Sequence, residues 1–173
     1  MSSYYYLISS LPALKADGDP PIDYEGFLAL CHGNVSPSVY AFLENLSLAS
    51  DKGPLLKEWA AFYKVFSDEL NYQRKLKLGR QAPPPQTRDY EAINVVTAAL
   101  AAKNPLESEQ ILLALQFKRL DELAGLHFFD DHVLNGYALK LRLLERQKCF
   151  KFEEGKSEFT SLFENIQQQI LRV

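Results

Sequence analysis

The chain has 173 residues, close to one ordinary domain and long enough to remove roughly 70% of its unfolded-state surface from water without a disulfide or metal staple. Its 47% hydrophobic and 24% charged residues, with 11 Phe and nine Tyr, exclude disorder throughout and describe a soluble globular composition. A formal charge of −3 and an isoelectric point near 5.6 leave no general positive field for a phosphate backbone, which argues against a dedicated nucleic-acid binder.

Between Pro and Gly breaks, the apolar residues recur at three- and four-residue spacing rather than alternating. This pattern predicts an all-α fold, a helical bundle of about six to seven helices with room for two small lobes. The opening Tyr4-Tyr5-Tyr6-Leu7-Ile8 is the one β-rich cluster and reads as a strand or a helical turn. Asp23 is placed to cap a helix through Phe27, Leu28 and Leu30 that stops at Gly33, and Ser36-Pro37 starts the next. Gly53-Pro54 opens a longer helix whose inner face carries Leu55, Trp59, Phe62, Phe66 and Leu70, ending at Gly79. Ala82-Pro83-Pro84-Pro85-Gln86 then forms a stiff spacer, dividing the chain into an N-terminal lobe over 1–80, a linker over 81–86 and a C-terminal lobe over 87–173.

Thr87 is the expected cap of a helix containing Ile93, Val96 and Leu100. Asn104-Pro105-Leu106-Glu107 joins a cap, a first-turn Pro and an acid, and so starts a helix that carries Ile111, Leu115, Leu120 and Leu123 up to Gly125. From Asp130 to Phe152 the apolar residues form two stripes: Leu134, Tyr137, Leu141 and Leu144 on one side, with Leu139, Leu143 and Phe150 roughly opposite. Such a helix touches neighbours on two faces or shows one stripe to a partner. After Gly155, Phe159, Leu162, Phe163, Ile166 and Ile170 share a last amphipathic stripe.

Catalytic signatures are missing. Gly155-Lys156-Ser157 resembles the end of a phosphate loop, but the motif needs a Gly where Phe150 stands. Asp130, Asp131 and His132, with His127 nearby, are metal-type ligands, yet the two histidines are five apart and cannot pair on a helix face, so the acids read better as N-terminal caps. His32 reads as a C-terminal dipole partner. Neither Cys31 nor Cys149 sits in a nucleophile signature, and both read as reduced and buried. Asp121 with Glu122, and Glu153 with Glu154, diverge on a helix and are solvated faces. These residues designate no catalytic, cofactor-binding or metal-ligating side chain, and the chain reads as a non-enzyme.

Two groups are candidates for partner binding. Tyr4, Tyr5 and Tyr6 suit an aromatic interface anchor or core packing. Arg74, Lys75, Lys77 and Arg80, beside Tyr72, could grip an acidic partner or anionic surface, or complement the negative end of their own helix. The N-terminus lacks a basic n-region, Ser2 stands where myristoylation needs a glycine, and the weakly polar stretch Val95 to Ala102 is far too short to span a bilayer. A cytoplasmic location without direct membrane insertion follows as an expectation, and the sequons at Asn34 and Asn45 count as chance matches.

Several phrases resemble an uncharacterised bacterial family encoded beside V-type (A/V-type) ATPase subunit genes: Tyr4-Tyr5-Tyr6-Leu7-Ile8-Ser9-Ser10-Leu11-Pro12, Pro20-Pro21-Ile22, Phe27-Leu28-Ala29-Leu30-Cys31, Asn104-Pro105-Leu106-Glu107 and Tyr137-Ala138-Leu139-Lys140-Leu141-Arg142. The tyrosine-leucine opening is the most distinctive. In its gene position that family resembles the C/d-type stalk adapter, an all-helical protein that seats the central stalk on the membrane rotor ring and has no catalytic residues to transfer. The resemblance implies V-type ATPase subunits as partners, no cofactor, and a place peripheral to the inner face of the cell membrane. A transient assembly or regulatory factor for that complex, and a small helical enzyme, stay open as alternatives.

Overall fold

The computed structural model describes residues 4–125 and 127–148, and among them the chain is all-helical, with seven helices and no strand. Cys149, Phe150, Glu153, Glu154, the Gly155-Lys156-Ser157 decoy and the last amphipathic stripe lie outside the described residues.

The tyrosine-rich opening is a helix, α1 (Tyr5–Ser10), because Leu7 and the preceding Tyr4 can be buried on one side only with helical spacing. Asp23 caps α2 (Tyr24–Cys31) by accepting from the Gly26 N–H at 2.8 Å, and Tyr24, Phe27 and Cys31 form its buried stripe. Gly33, at φ 77°, ends this segment in a conformation that suits glycine. Ser36 caps α3 (Pro37–Glu44), whose Leu43 is buried and whose carbonyl accepts from the Tyr24 hydroxyl at 2.7 Å.

The long helix α4 (Pro54–Lys77) buries Leu55, Trp59, Phe62, Phe66 and Leu70, the stripe expected from its sequence, together with Leu56 and Glu69. Asp89, not Thr87, caps α5 (Tyr90–Ala101): its carboxylate accepts from Glu91 and Ala92 N–H. A carboxylate directly before the first turn meets both the open N–H groups and the positive helix end, which a hydroxyl two residues earlier cannot reach. The α5 contact face is Ala92, Val96 and Ala99, small residues that let it approach α4 and α6 closely. Asn104 caps α6 (Pro105–Ala124) as expected, and α7 (Asp131–Lys148) follows.

Helix α6 packs on α4, α5 and α7, while α7 reaches α2, α4 and α6. The two stripes read in α7 have this cause: Leu134, Leu141 and Leu144 on one side and Leu139 and Leu143 on the other are all buried, with Tyr137 half-buried. Residues on both sides of the proline run belong to a single hydrophobic cluster.

One core position is out of character. Gln116 is fully buried, and neither end of its amide has a hydrogen-bond partner among the described residues. Gln116→Met keeps the volume and removes two unpaired polar atoms, so it should stabilise the fold by about 1–2 kcal/mol, read as a thermal midpoint higher by a few degrees. A lower midpoint would show that the amide is satisfied in solution.

Candidate interaction surfaces

The turn from α6 to α7 pivots on Gly125, at φ 53°, and presents His127, Phe128 and Phe129 before Asp130. Helix α1 docks here: the Tyr4 N–H donates to the Phe129 carbonyl at 2.8 Å, and the Tyr5 and Phe129 rings lie 4.6 Å apart. Tyr6 meets Tyr5 edge-on at 5.4 Å, and Phe128 lies 6.5 Å from Phe129. Tyr6 is 87% exposed and Phe128 66%, with Tyr5 and Phe129 also exposed, so four aromatic rings form one outward patch.

The three tyrosines therefore divide. Tyr4, only 6% exposed, joins the core beside Leu7, whereas Tyr5 and Tyr6 face outward. Phe128 and Phe129 complete the patch, and no helical periodicity marks them in the sequence. The available signal is an aromatic pair between a helix-ending glycine and a capping aspartate, where no helical stripe can bury it.

Beside this turn lies a cavity of about 560 Å³, lined by Val39 and Phe42 of α3, Leu55 and Leu56 of α4, and His127 and Asp130 among others. Asp130 caps α7, accepting at one carboxylate oxygen from His132 N–H at 3.0 Å and Val133 N–H at 3.4 Å, as its sequence position suggests. Its other oxygen pairs with His127 Nδ1. Burial pushes this carboxyl up, but the His127 bond and the two N–H bonds prevail and hold it below the usual aspartate value. His127 precedes α7 and turns back so that its ring lies 4.0 Å from that of His132, a pairing that helical spacing alone forbids. Among the described residues, no three or more His, Cys, Asp or Glu side chains converge as a metal site. The buried Cys31 thiol is pushed up to about 11 by desolvation, so it is not an activated nucleophile at neutral pH. His32 caps the end of α2 and meets the Tyr40 ring edge-on at 5.5 Å.

The basic group lies elsewhere. Arg74, Lys75 and Lys77 occupy the last turn of α4, and Arg80 follows the Gly79 turn; all four are exposed. Lys77 also donates through Nζ to the Leu100 carbonyl at the end of α5, so one cation serves a second helix terminus as well as its own. The cavity beside His127 is lined by the first residues of α4, whereas the cations stand at its last turn. A helix of 24 residues is about 36 Å long, so the aromatic patch and the basic group lie near opposite ends of α4 and do not form one continuous site.

Comparison with protein-family models, curated proteins and solved structures yields no match. No described helix is long and apolar enough to cross a membrane.

Proposed function

We propose that this chain is a non-catalytic helical adapter or accessory subunit that docks onto a larger assembly through Tyr5, Tyr6, Phe128 and Phe129, and that the assembly is a V-type ATPase. The observation that supports docking is the aromatic patch. Two segments far apart in sequence meet through the Tyr4–Phe129 backbone hydrogen bond, yet direct their rings outward instead of into the core. Exposed aromatics on a fixed scaffold supply apolar contact area with little entropy to lose, the usual character of an interface anchor. The choice of assembly rests on the resemblance of the opening Tyr4 to Pro12 and the other phrases to the family encoded beside ATPase genes.

The test is recovery of identified ATPase subunits with the tagged chain from native membranes. Wild type should bring them down, and a Tyr6→Ser/Phe128→Ser variant should bring down at least about tenfold less, as expected for loss of two interface anchors, with an unchanged thermal midpoint because both rings are exposed. Equal recovery by the variant would discard the aromatic face. Failure of wild type to recover any ATPase subunit would discard the assembly, and loss on washing would assign a transient factor in place of a subunit.

A further inference from the structure

Spacing in the sequence sets His127 and His132 apart, because side chains five positions apart on one helix face different directions. The fold removes that obstacle. His127 precedes α7 and lies on the turn, so its ring comes back to 4.0 Å from the His132 ring, centroid to centroid, with the ring planes 35° apart. Both residues line the same cavity of about 560 Å³. Asp131 and Asn135 line it too, and at i, i+4 spacing they share one face of α7.

Asp130 uses its two oxygens differently: Oδ1 caps α7, and Oδ2 pairs with His127 Nδ1. An imidazole that gives its Nδ1 proton to a carboxylate presents Nε2 as a lone pair of raised basicity, the arrangement found behind histidines that ligate metals. The His132 ring enters no hydrogen bond among the described residues, so its nitrogens are available. The charged lining residues besides the histidines are two carboxylates, Asp130 and Asp131, and one ammonium, Lys52, which is exposed and can extend into solvent. That balance favours a cation as guest.

We propose that His127 and His132 bind a divalent transition-metal ion of the Zn²⁺ class, with Asn135 or Asp131 and water completing its coordination. Imidazole nitrogen suits zinc, nickel and copper, whereas magnesium and calcium take oxygen ligands. Two nitrogens bound at about 2.1 Å to a tetrahedral ion stand about 3.4 Å apart, so rings with centroids 4.0 Å apart reach one ion once the unbonded His132 ring rotates. Two imidazoles completed by water make an open site, which needs no convergence of three His, Cys, Asp or Glu side chains. The ion ties the turn that carries Phe128 and Phe129 to the first turn of α7.

The experiment titrates zinc chloride into the full chain, first stripped with a chelator, and follows binding by calorimetry at neutral pH. Zinc should bind and raise the thermal midpoint as its concentration rises, and magnesium chloride should do neither. In the NMR spectrum of the wild-type chain, the imidazole C–H signals of His127 and His132 should shift with zinc. Those of His32, the third histidine, should stay in place beside Tyr40. His127→Gln and His132→Gln should each weaken zinc binding by about tenfold or more, and Asp130→Asn, which keeps a capping side chain but loses the charge on His127, by about tenfold. Neither imidazole belongs to the core, so the metal-free midpoints should match wild type; if a variant melts early, the wild-type NMR shifts decide. Absence of zinc binding, binding unchanged by both histidine variants, or equal binding of magnesium would each overturn the proposal. A shift of His32 in place of His127 and His132 would mean an adventitious ion only and would overturn it too. The Tyr6→Ser/Phe128→Ser variant should bind zinc normally, so the metal site and the aromatic face stand or fall separately.

Discussion

Trp59→Ala is expected to cost about 3–5 kcal/mol of unfolding free energy, measured by chemical denaturation, because it opens a large cavity in a site with no room to collapse. Trp59 is fully buried in α4, with the Phe62 and Tyr63 rings each 5.6 Å away. Its indole Nε1 donates to the Leu48 carbonyl at 2.9 Å, tying the segment between α3 and α4 to the core. That segment leads to Lys52 and Gly53 at the cavity beside the aromatic patch. Trp59→Phe separates the two contributions, since it keeps much of the packing and strands one carbonyl, for a loss of about 1–3 kcal/mol. A loss below about 1 kcal/mol for Trp59→Ala would mean that this face of α4 is not the centre of the core.

Arg88→Met should lower the thermal midpoint by roughly 10 °C at neutral pH, through the charge it leaves behind. Glu69 is fully buried and accepts from Arg88 Nε at 2.9 Å, from Arg88 Nη2 at 2.8 Å and from Gln73 Nε2 at 2.7 Å. The Arg88 hydrogen bonds hold its carboxyl below the usual glutamate value against the opposing effect of burial. Without the guanidinium, the carboxylate stays buried with one amide partner. Glu69→Met/Arg88→Met removes both charges together and should recover most of the loss, since an apolar pair of similar volume replaces an ion pair at little net cost.

The pH dependence follows from the sign of the shift. A carboxyl depressed in the folded state contributes stability that is present above its unfolded value and lost as pH falls through the folded one. In Arg88→Met the partner that depressed it is gone, so protonation relieves the buried charge. The gap between wild type and Arg88→Met should be widest at neutral pH and narrow as pH falls through the carboxylate range. A constant gap, or a double variant no more stable than Arg88→Met, would show that the cost arises from contacts of Arg88 other than the ion pair, such as its guanidinium 5.4 Å over the Tyr72 ring.

The candidate sites were only partly legible in the sequence. Tyr5, Tyr6 and the basic end of α4 stand out because exposed aromatics and clustered cations break the amphipathic pattern around them. Phe128 and Phe129 join the patch only once the chain has turned at Gly125 and α1 has docked. Glu69 sits on the apolar stripe of α4, where its charge gives no hint of the cation, 19 residues later, that allows its burial.

Local signals along the chain set where most helices begin and end. Asp23, Ser36 and Asn104 cap as expected, Pro37, Pro54 and Pro105 open their helices, and Gly33 and Gly79 follow two helix ends, since caps and helical bonds join residues no more than about four apart. Long-range packing is what wraps α7 on two faces, turns Tyr4 inward while Tyr6 turns out, and brings Lys77 to the end of α5. Those outcomes depend on pairs such as the Tyr24 N–H and Glu145, 2.9 Å apart across 121 residues of chain, which no short-range spacing rule can connect because packing alone selects them.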